Sequence, residues 1–388
     1  MYPPPLDAEA GDAILPFHVD VPQPALDDLA RRLAHVRWPD AGTVADWSQG
    51  VPLDRMQALV GYWRDRYDWR RCEAAINRWP GFRTRIDGLG IHFLHVRSPH
   101  AGAMPMLLTH GWPGSILEFL EAIGPLTDPQ AHGGDAADAF HVVIPSLPGY
   151  GFSDKPDATG WNVERIARTW HLLMRRLGYD RYVAQGGDWG SAITRAMAVQ
   201  QPPGLLGIHL NMVVCFPPPD EDYSDPQAVD ARETAEAHKQ WGLGYSTQQS
   251  TRPQTLGYAL ADSPVGQAAW IYEKFHAWTD NGGEPEEVLS RDSMLDTIML
   301  YWLTDSAASS ARLYWESFRS AFGNAPISLP VACSIFPREM RRPPRRWAER
   351  IFSDIIHWGQ PARGGHFAAL EQPDLFVQEV RTGLRSLR

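Results

Sequence analysis

Hydrophobic residues near the start of the chain recur with helical spacing, and one face of a predicted helix carries Leu26, Leu29, Leu33 and Val36. A second helix is predicted around residues 53–67. Residues 83–95, with apolar positions around Gly88 and Gly90, predict a hairpin that opens a sheet. We therefore expect residues 1–100 to form an N-terminal helical segment followed by the first strands.

From Met104 onward, short apolar runs alternate with helical patterns, and each run is followed by Gly or Pro. The predicted strands cover residues 105–109, 140–144, 182–185, 208–212, 331–335 and 354–358. Between two of them, Asn162 can cap a helix that ends at Gly178. Strands that alternate with helices predict an α/β core, residues 101–216 and 327–388, with a mostly parallel sheet covered on both faces.

This alternation stops between the prolines at 217–219 and residue 326. The segment is helical and aromatic, and proline-rich stretches bound it. We therefore expect residues 217–326 to form a helical cap, inserted into the sheet domain, that roofs a substrate pocket.

The composition of the chain narrows the classes of function that it could have. The formal net charge of −10 argues against a nucleic-acid partner, because such a protein needs a positive surface. The basic run at residues 338–350 is interpreted as a solvated loop and helix start. Sixteen tryptophans would suit a core or a pocket for an apolar small molecule.

The predictions about cofactors and cellular compartment depend mainly on motifs that the sequence lacks. The three cysteines are far apart, with no Cys/His spacing for a metal, and the nucleotide motifs GxGxxG and GxxxxGK[ST] do not occur. No apolar run reaches the roughly 18 residues of a membrane span, and no signal peptide is recognisable. We expect a cytoplasmic protein with free thiols, no metal, no cofactor and no membrane anchor.

The strongest chemical motif is Gly186-Gly187-Asp188-Trp189-Gly190, between a predicted strand and helix. It has the form of a nucleophile elbow with Asp188 where an esterase has serine, and its glycines allow close backbone approach. The alternative is a glycine-rich turn with an N-capping aspartate.

A second loop, His110-Gly111-Trp112-Pro113, follows an earlier strand. The backbone N–H groups of Trp112 and Trp189 could together hold an oxyanion. We expect His110, Gly111 and Pro113 to border the substrate pocket; alternatively, His110-Gly111 is only a turn.

Two further residues complete a predicted triad. His366 lies between the last strand and the final helix, and Glu339 follows the strand that resumes after the cap. The order nucleophile, acid, histidine is the one that this architecture requires. A structural histidine and a surface glutamate are the alternatives.

With these motifs the chain resembles the microsomal-type epoxide hydrolases of the α/β-hydrolase fold, in a version without the membrane anchor. The resemblance covers nearly the whole chain, including the N-terminal segment, and depends on motifs at residues 37–39, 62–63, 67–69, 110–115, 186–191, 262–266, 336–339 and 363–367. It implies a triad of Asp188, Glu339 and His366, with Tyr245 and Tyr314 of the cap as acids. Tyr258 is the competing candidate for Tyr245.

The resemblance implies that an epoxide and water give a vicinal diol through an ester on Asp188, with an aromatic or otherwise apolar substrate. The role could be xenobiotic breakdown or natural-product biosynthesis, such as that of enediyne antibiotics, and a homodimer is the default assembly. A haloalkane dehalogenase and a non-catalytic ligand-binding relative remain alternatives. A serine esterase is excluded because the elbow has no serine at the nucleophile position.

Overall fold

The computed structural model describes residues 2–7, 11–323 and 325–388. Within them, nine strands form one sheet: β1 (Leu15–Phe17), β2 (Gly81–Ile86), β3 (Leu89–Val96), β4 (Met104–Thr109), β5 (Phe140–Pro145), β6 (Tyr182–Gly186), β7 (Leu205–Leu210), β8 (Val331–Ser334) and β9 (Ile355–Gly359). Their spatial order is β1-β2-β3-β5-β4-β6-β7-β8-β9. The pairs from β1 to β5 are antiparallel, and those from β5 through β4 to β9 are parallel, which confirms a mostly parallel sheet.

The described helices are α1 (Gln23–Ala34), α2 (Leu53–Asp65), α3 (Trp69–Asn77), α4 (Leu120–Thr127), α5 (Val163–Arg176), α6 (Trp189–Gln200), α7 (Pro226–Ala237), α8 (Gly244–Thr251), α9 (Pro253–Asp262), α10 (Pro264–Trp278), α11 (Arg291–Leu303), α12 (Ala307–Ser317), α13 (Arg345–Ala348), α14 (Ala368–Glu371) and α15 (Pro373–Leu384). All residues of β6 are buried. Successive side chains of a strand point to opposite faces, so both faces of the sheet are covered here.

The helix after β5 shows how local sequence sets the fold. The side chain of Asn162 accepts a hydrogen bond from the N–H of Arg165 at 3.0 Å, which caps α5 as predicted. Ile166, Trp170 and Leu173 are buried on its apolar face. Burying each of these side chains stabilises the fold by about 1.5–3 kcal/mol.

Some predicted bounds were wrong. β7 ends at Leu210, so Met212 lies beyond it, where its carbonyl accepts the hydroxyl of Ser191. α1 ends at Ala34, before Val36. β1 was not predicted, because three residues are too few for a detectable alternation.

Helices α7–α12 lie between β7 and β8, where the cap was predicted; the exact domain bounds stay a prediction. The N-terminal helices pack against this inserted region. The hydroxyls of Tyr62 and Tyr67 donate to Asp292 at 2.9 Å and Asp296 at 2.6 Å, both on α11. The N-terminal segment therefore packs against the cap and is hydrogen-bonded to it.

Cys72, Cys215 and Cys333 are buried and form no disulfide. In the part of the chain that the structure describes, no helix is both long and apolar enough to span a bilayer.

Candidate active site

The predicted site residues converge at the carboxyl edge of the parallel strands. Asp188 stands between β6 and α6 with φ of 49°, a conformation that is strained for a residue with a side chain. A Cβ on Gly190 would lie 1.9 Å from the carbonyl oxygen of Thr109, and one on Gly186 would lie 2.1 Å from that of Gly190. Glycine is therefore required on both sides of the elbow.

The Asp188 carboxylate is held from two sides. The N–H of Trp112 donates to Oδ1 at 2.7 Å, and His366 Nε2 lies 3.4 Å from Oδ2. A Cβ on Gly111 would be only 2.1 Å from Oδ1, so the loop after β4 must have glycine there to approach the carboxylate. Ser191 is no alternative nucleophile, because its buried hydroxyl donates to the Met212 carbonyl at 2.6 Å.

Glu339 lies on the other side of the His366 ring. Nδ1 of His366 is 3.0 Å from both carboxylate oxygens, and the N–H of Met340 donates to Oε1 at 2.6 Å. Burial by itself lowers the pKa of His366, but the carboxylates of Glu339 and Asp188 outweigh it and hold this pKa well above its usual value. The imidazole is therefore charged while Asp188 is ionised.

The loop that carries His366 is tied to the cap. The N–H of His366 donates to the carbonyl of Trp278, at the end of α10, at 2.8 Å. The carboxylate of Glu371 accepts from the N–H groups of Asp280 and Phe367 at 2.8 and 3.1 Å. These hydrogen bonds therefore fix the position of His366 relative to α10, the cap helix that covers it.

Tyr245 and Tyr314 bring two phenols from the cap to Asp188. The Tyr245 ring stacks on Trp112 with centroids 5.0 Å apart, and Tyr314 packs edge-on against Trp189 at 4.8 Å. Their exposed fractions are 7% and 2%, whereas Tyr258 is 71% exposed, which favours Tyr245 over that candidate. Burial and, secondarily, nearby charge raise the pKa of both phenols, so they remain protonated donors.

The Tyr314 hydroxyl is buried, and within the described residues it has no hydrogen-bond partner other than the nearby hydroxyl of Tyr245. Other tyrosines nearby are satisfied: Tyr150 donates to the carbonyl of Ser310 at 3.0 Å, and Tyr301 to that of Gly114 at 2.9 Å. The indole N–H of Trp189 is also buried and has no hydrogen-bond partner among the residues that the structure describes. An unsatisfied buried donor is costly, and such donors are expected where a ligand brings the acceptor.

His110 is not available as a second base. Its Nδ1 donates to the carbonyl of Gly111 at 2.9 Å, and its Nε2 accepts from the N–H of Leu147 at 3.2 Å. Burial lowers the pKa of His110 to about 4, so the ring is neutral and fastens two loops together. Pro113, also expected at the pocket, is buried.

Two cavities adjoin Asp188. A cavity of about 10 Å³, close to the minimum for one water, is bordered by Asp188, His366, Glu118 and Asn211. A cavity of about 360 Å³ opens on the other side of Asp188 beneath the cap, and Tyr245 and Tyr314 line it. The smaller cavity is the size of a water molecule and the larger that of a small organic substrate.

Sequence reasoning missed Glu118, whose carboxyl group occupies the space beside Gly114. A Cβ on Gly114 would lie 1.3 Å from Glu118 Oε1. Burial raises the pKa of Glu118 to about 8. The lone acidic residue in the apolar stretch Ile116–Phe119 was the available signal.

The sequence also missed Arg341. It lines the larger cavity, although the basic run around it was interpreted as solvated. That interpretation was wrong for this half-buried residue, and also for Arg342, which pairs with Asp230 at 2.8 Å.

A mostly parallel sheet, an aspartate at a strand-to-helix elbow, a buried glutamate–histidine pair and helices inserted before β8 define an α/β hydrolase. Comparison with known families agrees: residues 104–233 match the alpha/beta hydrolase fold, and residues 14–119 match the epoxide hydrolase N terminus. The chain therefore belongs to the epoxide hydrolases of the microsomal type.

Individual relatives span nearly the same length. A Stigmatella aurantiaca protein named "Putative epoxide hydrolase" is 62% identical over 97% of this chain and 86% of its own. Epoxide hydrolase 1 of Sus scrofa is 35% identical, over 96% and 89%. Among solved structures, the juvenile hormone epoxide hydrolase of Bombyx mori superposes with a TM-score of 0.90 at 30% identity, over 99% and 96%, and the Aspergillus niger epoxide hydrolase with 0.85 at 31%, over 98% and 97%.

Proposed function

We propose that this epoxide hydrolase opens an apolar epoxide to a vicinal diol through an ester on Asp188. The observation that carries the proposal is the set of groups around one carboxylate. Trp112 N–H and His366 hold Asp188 from the sheet side, while Tyr245 and Tyr314 approach from the cap. In the part of the chain that the structure describes, the buried Tyr314 hydroxyl has no partner other than that of Tyr245.

In the first step, an Asp188 oxygen attacks a ring carbon from the side opposite the breaking C–O bond. Tyr245 and Tyr314 donate hydrogen bonds to the ring oxygen, and one phenol passes its proton to that oxygen and regains a proton from solvent. An aspartate suits this reaction because its alkyl ester can still be hydrolysed, whereas an ether on serine could not.

Ester formation changes the state of His366. The Asp188 charge is one of the causes that hold the pKa of His366 high. Once Asp188 is esterified this charge is gone, so the pKa falls and the imidazolium can release its proton. The neutral ring, oriented by Glu339, then becomes a base.

The second step would use a water in the 10 Å³ cavity, between His366 and Glu118. His366 takes a proton from that water, and the hydroxide attacks the ester carbonyl of Asp188. The N–H groups of Trp112 and Trp189 hold the oxyanion. When the acyl–oxygen bond breaks, the diol oxygen takes the proton from His366. The new carboxyl group of Asp188 then passes its proton to His366, which restores the carboxylate and the charged imidazole of the resting site.

The substrate side of the proposal rests on the larger cavity. Its wall is mixed, and Trp189, Met212, Leu243 and Phe318 are among the residues that make its apolar part. This supports an aromatic or otherwise apolar epoxide. Xenobiotic breakdown and natural-product biosynthesis are both roles that such a substrate would allow.

The test is the intact mass of a His366→Gln variant after mixing with styrene oxide. The ester should form while hydrolysis slows by about 10²–10⁴-fold, the usual contribution of a general base, so an adduct of the whole epoxide should accumulate on Asp188. His35→Gln, at an exposed histidine, is the matched control and should turn over without an adduct.

A bromoalkane of similar size serves as the second reagent. The unpartnered indole N–H of Trp189 is a group that halide displacement would also use. An adduct from the bromoalkane alone, without its bromine, would favour dehalogenation. If the epoxide adduct maps to a residue other than Asp188, the proposed nucleophile is wrong.

A further inference from the structure

The larger cavity is lined by a cation that forms no ion pair in the part of the chain that the structure describes. Arg341 lines it, and within the described residues its guanidinium makes no hydrogen bond or ion pair. Its neighbours in the basic run do pair: Arg338 with Asp280 at 3.4 Å, Arg342 with Asp230 at 2.8 Å, and Arg346 with Glu221 and Asp225. Because burial of an unpaired charge is costly, Arg341 is the exception to be explained.

The acidic groups near Arg341 are already engaged. Glu339 accepts from His366 and from the N–H of Met340, and Asp188 is held by Trp112 and His366. Both carboxylates are therefore used in the catalytic arrangement. Arg341 forms no ion pair with either of them within the described residues, although the charge of Glu339 lies near enough to oppose the lowering of the Arg341 pKa by burial.

The other titratable groups around the cavity do not compensate this charge. Lys274 pairs with Glu273 and lies 4.6 Å from the centre of the Tyr245 ring. His238 is neutral, because burial and the neighbouring cations lower its pKa to about 4. Arg319, exposed at the rim, adds a second positive charge without a partner in the described residues.

We propose that the substrate is an amphipathic epoxide whose apolar body lies in the 360 Å³ cavity and whose carboxylate binds Arg341. A guanidinium matches a carboxylate with two parallel hydrogen bonds, and desolvation in the cavity strengthens them. This inference rests on the proposed function, because it adds an anionic end to the epoxide that Asp188 attacks.

An alternative role for Arg341 is to act through Tyr245, since its charge lowers the pKa of that phenol. The two roles predict different kinetics. A carboxylate-binding residue changes KM for an anionic substrate alone, whereas a residue that acts on Tyr245 changes the rate of ring opening for every substrate.

The experiment compares para-carboxystyrene oxide with para-carboxamidostyrene oxide, which has nearly the same shape but no charge. The wild type should prefer the carboxylate. Arg341→Gln should raise KM for the carboxylate by about 10- to 100-fold, the value of a charged hydrogen-bonded pair, and leave the amide unchanged. Arg341→Lys should recover part of the preference.

Arg350→Gln is the matched control, because it removes the same charge from an exposed position near the end of the same basic run. It should change neither substrate. The inference is overturned if the wild type shows no preference, if Arg341→Gln slows both substrates equally, or if the control has the same effect as Arg341→Gln.

Calorimetric binding of the two corresponding diols separates this inference from the proposed function. Turnover of both epoxides without a carboxylate preference overturns the inference and leaves the function standing. Binding of the carboxylated diol that depends on Arg341, without turnover of either epoxide, overturns the function and supports the anion site. If the protein binds neither diol and turns over neither epoxide, both the inference and the proposed function are overturned.

Discussion

The sheet-side half and the cap-side half of the active site meet at Asp188 and differ in how their polar groups are satisfied. On the sheet side, His366, Glu339 and the N–H of Trp112 form a closed set of hydrogen bonds. On the cap side, within the described residues, the Tyr314 hydroxyl has no partner other than the hydroxyl of Tyr245, and Arg341 forms no ion pair. The hydrogen bonds of the first half are complete within the protein, and under the proposed function those of the second half are completed by the substrate.

This difference between the two halves corresponds to two roles, catalysis and substrate recognition. Groups that hold charge during catalysis are oriented in advance, so that little reorganisation is needed at the moment of reaction. Groups that recognise the substrate are left with unused hydrogen-bonding capacity, which lowers stability and gives binding energy back when the substrate is bound. Mutations in the two halves should therefore have different signatures.

The largest effect is expected on the sheet side, from Glu339→Gln. The amide should leave the imidazole poorly oriented and slow ester hydrolysis by about 10³–10⁴-fold, as in triads of this kind. Since the Glu339 charge raises the pKa of His366, the pH midpoint of the remaining hydrolysis should move to lower pH. Single-turnover rates measured against pH test this, and an unchanged midpoint would contradict it.

Gly111→Ala tests how closely the sheet-side half is packed. The new Cβ would meet Asp188 Oδ1 at 2.1 Å and displace it, which should cost about 100-fold in kcat/KM. Gly61→Ala, within α2 where a Cβ has open space, is the matched control. It should keep full activity and, because alanine favours helix, unfold at a slightly higher temperature.

A smaller effect on rate is expected on the cap side, where Tyr314→Phe removes a buried hydroxyl whose one partner in the described residues is the hydroxyl of Tyr245. Ring opening should slow by about 10- to 100-fold, because Tyr245 still donates, while the free energy of unfolding rises by about 1 kcal/mol. Tyr301→Phe is the comparison, since its hydroxyl donates to the Gly114 carbonyl. Tyr301→Phe should lower the free energy of unfolding by a similar amount. Denaturant unfolding of both variants tests these opposite expectations.

The smallest effect on rate is expected from Glu118→Gln, whose clearest effect should be on how stability depends on pH. Burial raises the pKa of Glu118 from 4.5 to about 8, so the folded protein keeps a proton that the unfolded chain loses above about pH 4.5. The wild type should lose stability relative to the variant as pH rises from about 4.5 to about 8, by at most about 1.4 kcal/mol per pH unit. A difference in melting temperature that does not vary with pH would contradict this.

The sheet-side residues that the sequence singled out lie together in the structure, and they could be singled out because their signals are local. The glycines around Asp188 mark a turn that no larger residue allows, and His366 was found by its order after Glu339. The parallel strands were recognised from short apolar runs, whereas β1 was too short to show a pattern.

The cap side could not be predicted to the same depth. Which arginine of the basic run faces a cavity depends on the path of a loop between β8 and α13, and spacing does not encode that path. Glu118 was missed for a similar reason, because only the fold brings its carboxyl group beside Gly114. The tyrosines were placed by family resemblance rather than by any local rule.

The three cysteines have a consequence for an enzyme that handles electrophiles. Epoxides alkylate thiolates, and a thiol reacts in proportion to its exposure and its ionised fraction. Here each thiol is closed off from solvent, and burial raises the pKa of Cys215 to about 11 and those of Cys72 and Cys333 well above the usual value. The protein should therefore tolerate high concentrations of its own reagent without self-inactivation at sulfur, a useful property for a biocatalyst.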